Sequence, residues 1–424
     1  MLRRYNLNQF REEYVQPPTW QEFVKEIEQV KEIIGVVRKD GDQALYKYTS
    51  YFDGVDLDRL TVSAEEMDEA ASKLEPELKQ VIDEAHHNIE QFHNRQQHQS
   101  FWFASDGALL GQVYRPLQKV GAYIPGGTAA YPSTVLMTLV PAQVAGVSDI
   151  CLTTPPGPDG LVNPVTLFAA RQAGVKKVYK LGGAQAVAAM AYGTESVDPV
   201  EKIVGPGNIY VTLAKKEVYG DVGIDLLAGP SEIMVVAGDD SNASFIAADL
   251  LSQAEHDPSS QAYLVTPSEE LAGEVEKELE TQLPGLDRRD IAERAIEKNG
   301  GIIVTNNLKE AWEVVNLVAP EHLELHLDYP WSYLDQIKSA GSIFLGAYSP
   351  EALGDYWAGP NHVLPTGRAA RFASPLGVED FMKYSQVISY SPEALRDSAS
   401  RIEKLARVEG LEGHARSIQF RREK

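Results

Sequence analysis

Between Val120 and Val304 strand-like and helix-like segments alternate almost without interruption, and no other feature constrains the fold as strongly. Val120–Ile124 reads as a short strand, Pro125-Gly126-Gly127 as a turn, Ser133 to Gly146 as a helix and Ile150 to Thr154 as the next strand, which makes a β-α-β unit. A helix over Asn163 to Gly174, a strand over Lys177 to Leu181, the turn Gly182-Gly183 and a helix over Ala184 to Tyr192 repeat the pattern. Ile203-Val-Gly-Pro-Gly-Asn208 then places a tight turn ahead of another helix. From Glu232 the alternation resumes with strands Ile233 to Ala237, Ala262 to Thr266 and Gly301 to Val304, separated by helices over Asn242 to Ala254 and within Ser268 to Lys298. Parallel strands need long crossovers, so this order predicts an α/β protein with two parallel sheets covered on both faces.

A chain of 424 residues exceeds what one core usually organises, and 43% hydrophobic with 24% charged residues suits a folded protein of two or three domains. Outside the alternating region, Phe23, Ile27, Val30, Ile33 and Ile34 predict an amphipathic helix from Trp20 to Arg38. A second helix is expected from Glu75 to His98, with His86, His87, His93 and His98 on its solvated faces. Helical periodicity from Ser374 onward, ending in the basic run Arg416 to Lys424, predicts a helical tail domain. The net charge of −22 repels phosphate backbones and anionic lipid, so neither nucleic acid nor membrane is expected as a partner. The single cysteine, Cys151, can form no internal disulfide and no Cys-based metal site, and a cytoplasmic, reducing location is the expectation. Met1 to Glu13 carries charges throughout, and no segment approaches the roughly 18 apolar residues of a membrane span.

Several clusters can carry chemistry. The dinucleotide fingerprint Gly-x-Gly-x-x-Gly is absent, and the turns Gly126-Gly127, Gly182-Gly183 and Gly205-Pro-Gly207 read by themselves as ordinary βα turns, with phosphate-facing amides as the alternative. Gln253 and His256 share one face at the end of a predicted helix that Pro258 stops; they offer an amide oxygen and an imidazole to a metal, or simply a histidine at a helix C-terminus. Glu321-His322 places a carboxylate beside an imidazole where a helix gives way to an alternating apolar segment, a position suited to acid–base work. His326 shares a strand face with Glu324 and His322, so one of the two histidines can be structural. The stretch Leu353 to His362 has the Gly, Pro, Asp and aromatic content of an ordered functional loop, with Asp355 either an oxygen ligand or a turn residue.

Taken together, Tyr123-Ile-Pro-Gly-Gly127, Gly183-Ala-Gln185, Gly205-Pro-Gly-Asn208, Ala228-Gly-Pro-Ser-Glu232, Ser252-Gln-Ala-Glu-His-Asp257, Pro320-Glu-His322, Gly354-Asp-Tyr356, Pro360-Asn-His362 and Glu409 to His414 resemble the histidinol dehydrogenase family over nearly the whole chain. The resemblance implies two incomplete Rossmann-like parallel-sheet domains, a small helical C-terminal domain and an intertwined homodimer. The expected division is an N-terminal arm at 1–20, a first α/β domain from 21–119 and 232–365 with the metal and acid–base residues, a second at 120–231 with the cofactor contacts, and a helical domain at 366–424.

The resemblance further implies zinc held by Gln253, His256, Asp355 and His414, and NAD contacted by Tyr123, Gln185 and Asn208. Substrate contacts carry over to Ser231, Gln253, His256, His322, Asp355, Glu409 and His414, with His362 as an addition. The implied reaction is the two-step oxidation of L-histidinol to L-histidine, with His322 as proton acceptor and Glu321 as activator of water. Rival readings are a zinc dehydrogenase of another primary alcohol or diol, a zinc hydrolase in which Glu321 activates water, and a catalytically silent binding protein. Glu409 argues against an anionic substrate, which its carboxylate would repel.

Overall fold

A computed structural model describes residues 2–14, 22–126 and 130–423. Trp20 and Gly127, which the expected first helix and first glycine turn include, lie outside the described residues. In chain order, β1 (Arg3–Asn6) comes first, and β2 (Phe101–Ser105) and β3 (Ala108–Pro116) form a hairpin. The first alternating stretch supplies β4 (Lys119–Tyr123), β5 (Asp149–Thr154), β6 (Lys177–Lys180), β7 (Lys202–Val204) and β8 (Gly223–Ile224). The second supplies β9 (Glu232–Ala237), β10 (Gln261–Thr266), β11 (Gly300–Val304), β12 (His322–His326) and β13 (Ser342–Leu345), and β14 (Met382–Tyr390) closes the series.

The chain divides into two compact units, the larger built from 1–96 and 118–381 and the smaller from 97–117 and 382–424. The larger holds two parallel sheets, as the alternation requires. One has the order β6-β5-β4-β7-β8 and the other β1-β11-β10-β9-β12-β13. In each, the first strand of its βα series lies at the centre and the order reverses beside it, between β4 and β7 and between β9 and β12. Every residue of β9 is buried, as expected of a central parallel strand. Ile233, Val235 and Ala237 pack toward the helices Ala243–Ala254, Glu269–Gln282 and Arg289–Asn299, while Met234 and Val236 meet Trp312 and Val315 of the helix Leu308–Val318. Each fully buried aliphatic side chain contributes roughly 1.5–3 kcal/mol before entropic costs are set against it. The described part of the N-terminal arm is docked: β1 pairs with β11, and Phe10 is buried beside Trp312.

The smaller unit has its own three-stranded antiparallel sheet, β14-β3-β2. Asp106 and Gly107, both with positive φ, make the tight turn of the β2-β3 hairpin. Helical structure begins later than Ser374 leads one to expect, because Met382–Tyr390 pairs along the whole of β3 before the helices Pro392–Val408 and Glu412–Arg422 follow. A second difference concerns the helix Pro76–His93: His93 is buried, not on a solvated face, with Nδ1 at 2.8 Å from the Ile89 carbonyl. Among the described residues no helix is long and apolar enough to cross a membrane.

The turn after β7 shows how the fold shapes one prospective site. Gly205 has φ +106°, and a Cβ there would lie 2.2 Å from the Tyr123 carbonyl oxygen, so only glycine fits. Its N–H donates to Asp225 Oδ2 at 2.7 Å and its carbonyl accepts from Lys215 Nζ at 2.9 Å. Lys215 and Asp225 form a buried ion pair that therefore grips the turn from both sides. Breaking such a pair from one side leaves an uncompensated buried charge. Lys215→Met should lower the unfolding free energy by about 3–5 kcal/mol. Lys215→Met with Asp225→Asn should recover part of that loss in urea denaturation, because the amide oxygen still accepts from Gly205. Equal losses in both variants would contradict the role given to the pair.

Candidate active site

Two prospective sites lie at opposite ends of the two sheets. Tyr123 ends β4, and Gly205 to Asn208 follow β7, so both lie at the carboxyl ends of strands where the order of their sheet reverses, the usual crevice for a ligand in an open α/β sheet. Tyr123 Oη accepts from the N–H of Gly183 at 3.2 Å, which ties this crevice to the first turn of the helix Gly183–Tyr192. Gln185, in that turn, is buried with neither amide atom hydrogen-bonded. Asn208 is exposed and caps the helix Ile209–Val218, its Oδ1 accepting from Tyr210 and Val211.

The candidate acid–base residues lie at the amino end of the other sheet. Glu321 and His322 open β12 and lie beside the start of β9, with His322 in register with Ile233. The expectation from general α/β practice is a crevice at the carboxyl ends, and this site departs from it. The reason is local: Glu321 immediately precedes β12 and His322 begins it, just after the loop that returns from the helix Leu308–Val318. That helix ends at Ala319, held in the left-handed region at φ +53° with its N–H bonded to Val315, and Pro320 then directs Glu321 inward.

Glu232 organises the pair. Its backbone N–H donates to Glu321 Oε2 at 2.9 Å, and its carbonyl lies 3.0 Å from His322 Nδ1. A carbonyl can only accept, so Nδ1 carries the proton. His322 Nε2, buried and without a hydrogen-bond partner, keeps its lone pair free. Contacts of 3.7 Å to Glu321 and 3.9 Å to Glu351 could suggest a charged imidazole. They are too long for hydrogen bonds, and burial lowers the imidazole's pKa against the opposing pull of Asp355, so the neutral form prevails. Burial pushes the carboxyl of Glu321 well above the usual range, its bond to Glu232 opposing this and the charges of Glu232, Glu351 and Asp355 adding to it.

The helix Ala243–Ala254 runs back from the carboxyl end of β9, capped by Asn242, and so delivers Gln253 and His256 to the same amino end. His256, Glu351 and Asp355 bring ligand atoms within 4.8 Å of one another. Gln253 is buried with its side-chain oxygen unpartnered, and His256 is exposed. His362 Nδ1 lies 3.7 Å from Asp355 Oδ1, and burial lowers its pKa. Ser231 directly precedes β9. Glu409 and His414 are exposed on the smaller unit, one capping the helix Pro392–Val408 and the other in the first turn of the helix Glu412–Arg422.

Two acids go unassigned by the sequence reading. Glu232 has a readable signal, a carboxylate at the head of the wholly buried run Glu232–Ala237. Glu351 has none, since an acid in the first turn of a helix after Ser349-Pro350 is ordinary dipole chemistry. Only folding places it beside His322 and Asp355.

A buried imidazole with a free ring nitrogen beside a cluster of potential metal ligands, on a scaffold of two parallel sheets, is the arrangement of an α/β enzyme. Residues 19–422 match the family model described as Histidinol dehydrogenase. The chain is 53% identical over 394 residues to histidinol dehydrogenase of Listeria monocytogenes, covering 93% of this chain and 92% of that one. It is 55% identical to that of Bacillus subtilis over 394 residues, 92% of each chain. A crystal structure of histidinol dehydrogenase from Elizabethkingia anophelis superposes with a TM-score of 0.94 at 38% identity, covering 99% of this chain and 98% of that one. The chain therefore belongs to the histidinol dehydrogenase family and is an oxidoreductase.

Glu232 yields a pH prediction. Burial holds its carboxyl at about 7 against an ordinary 4.5, partly offset by bonds to Gly367 and Glu321. Between those values the folded chain keeps a proton that the unfolded chain releases. This contribution is fully present below 4.5 and is lost as pH rises through about 7. Glu232→Gln should thus remove a decline on the order of 3 kcal/mol between about pH 5 and about pH 8 in urea unfolding. An unchanged slope would show that Glu232 is not the group responsible.

Proposed function

We propose that this chain oxidises L-histidinol to L-histidine in two NAD-linked steps, holding the aldehyde in place between them. The observation that carries the reading is the neutral imidazole of His322, its Nδ1 pinned by the Glu232 carbonyl and its Nε2 free. Nε2 accepts the hydroxyl proton as hydride leaves the adjacent carbon, and the resulting imidazolium is stabilised by the carboxylates around it. Glu321 then takes a proton from the water that adds to the aldehyde, a task suited to a carboxyl whose affinity for protons is raised by burial.

The residues fit the expected groups. The unpartnered oxygen of Gln253 and the convergence of His256 with Asp355 suit zinc, with His414 as the fourth ligand. The unpartnered amide of Gln185, with Tyr123 and Asn208 in the crevice region, suits NAD. When bound, zinc supplies a fixed anchor for the substrate's nitrogens and nicotinamide supplies the hydride acceptor. Ser231, His362 and Glu409 complete the set of substrate contacts, Glu409 favouring an amine.

His414 and Glu409 serve the site of a second copy in a homodimer. The smaller unit supports this, since it exposes Trp102, Phe103, Ile388, Val408 and Phe420, large apolar side chains that a monomer would leave in water. A small-molecule substrate, no nucleic acid, no membrane and a cytoplasmic location complete the reading.

Protein incubated with histidinol and NAD should yield two NADH per substrate by absorbance. No NADH, or one per substrate, would sink the reaction as written. His322→Asn should slow both half-reactions by roughly 10²–10⁴. Glu321→Gln should depress oxidation of added histidinaldehyde more than the first hydride transfer, and equal losses would reassign it. For the shared site, His256→Ala and His414→Ala chains should each be inactive alone. Unfolded and refolded together at equal amounts, they should regain about a quarter of the native sites, because a mixed dimer gathers both lesions in one site. Mixed dimers no more active than the parents would rule out sharing.

A further inference from the structure

The face of β12 that carries His322 continues to Glu324 and His326, which the proposed chemistry does not use. Both are buried, Glu324 with no exposure and His326 with 4%. The helix Ala243–Ala254 brings Asp249 against them. His326 Nε2 lies 3.3 Å from Glu324 Oε2 and 3.6 Å from Asp249 Oδ2, yet neither ring nitrogen forms a hydrogen bond, and neither does Glu324 Oε2. In a triad held by a shared proton, one charge-assisted N–H···O contact would close to about 2.7–2.9 Å. Here the nitrogen stands nearly equidistant from two carboxylates. Tetrahedral coordination with bonds of about 2.1 Å has ligand–ligand edges of about 3.4 Å, between the two distances observed.

Charge leads to the same conclusion. Among the described residues no Lys or Arg ion pair reaches Asp249, Glu324 or His326. A divalent ion would neutralise both carboxylates.

We propose that Asp249, Glu324 and His326 form a second divalent-cation site, separate from the cluster of His256 and Asp355. One imidazole nitrogen and two carboxylate oxygens suit zinc, cobalt or manganese better than calcium or magnesium. The side chain of Asp249 is 13% exposed and gives the ion a way in. The other oxygen of Glu324 accepts from the backbone N–H of Glu351 at 2.7 Å, so this ligand is oriented by an outer contact, as metal ligands commonly are. An ion here would join β12 and the helix Ala243–Ala254 to the first turn of Glu351–Tyr356, the helix that presents Glu351 and Asp355 to the catalytic side. Its role is structural, behind the reacting groups.

The test counts ions on the full-length protein at equilibrium dialysis against excess zinc, by elemental mass spectrometry. The count for each site is separate, although the first site rests on the zinc reading given above. Wild type should hold one more zinc per chain than His326→Ala and one more than His256→Ala, and the double variant should lose two. Asp249→Asn, nearly isosteric, should also lose one while keeping the far-ultraviolet circular dichroism of wild type, which guards against a misfolded alanine variant. Cobalt in place of zinc should give a visible absorbance component missing from Asp249→Asn. Equal zinc in wild type, His326→Ala and Asp249→Asn overturns the proposal. A loss in His326→Ala with none in His256→Ala would leave this site standing and refute the zinc reading at His256.

Discussion

One residue of backbone, at the amino end of β9, holds both members of the proposed acid–base pair: Glu232 donates its N–H to Glu321 and accepts from His322 through its carbonyl. That grip exists only because β9 and β12 are parallel neighbours in the register that sets His322 opposite Ile233. A slip of one residue would turn His322 to the opposite face of the sheet and carry Glu324 and His326 with it. The tautomer of His322, the orientation of Glu321 and the placement of the buried acids all follow from this pairing.

Around the grip the protein tolerates an expensive arrangement. Glu232, Glu321 and Glu351 are buried near one another, and burial raises the proton affinity of each. Hydrogen bonds from backbone N–H groups and from Ser252 offset part of the penalty. Such clustering does little for stability, and it suits the proposed acid–base chemistry, since it raises the proton affinity of the carboxyl groups and keeps a neutral imidazole among them.

The two sheets present their prospective sites at different ends. One offers the carboxyl ends of β4 and β7, where the buried ion pair of Lys215 and Asp225 braces a glycine turn. The other offers the amino ends of β9 and β12, to which the returning helix Ala243–Ala254 delivers Gln253 and His256.

Much of this was legible in the residues. Parallel strands cannot be joined by tight turns, so the alternation from Val120 to Val304 leaves few alternatives to two α/β sheets. Asn242 and Ser268 mark helix starts because their side chains replace missing backbone acceptors. The pairing of Glu321 with His322 was visible as adjacency, and Gln253 with His256 as helical spacing. What no local pattern carries is the meeting of remote segments. The strand Met382–Tyr390 reads as helical until β3 supplies its partner, and His93 reads as solvated until Asn361 and its neighbours cover it. Glu351 looks like an ordinary first-turn acid until folding sets it against His322. Local sequence governs backbone preference and amphipathic period. Burial, and with it the proton affinity of every acid in this site, depends on which distant chains exclude the water.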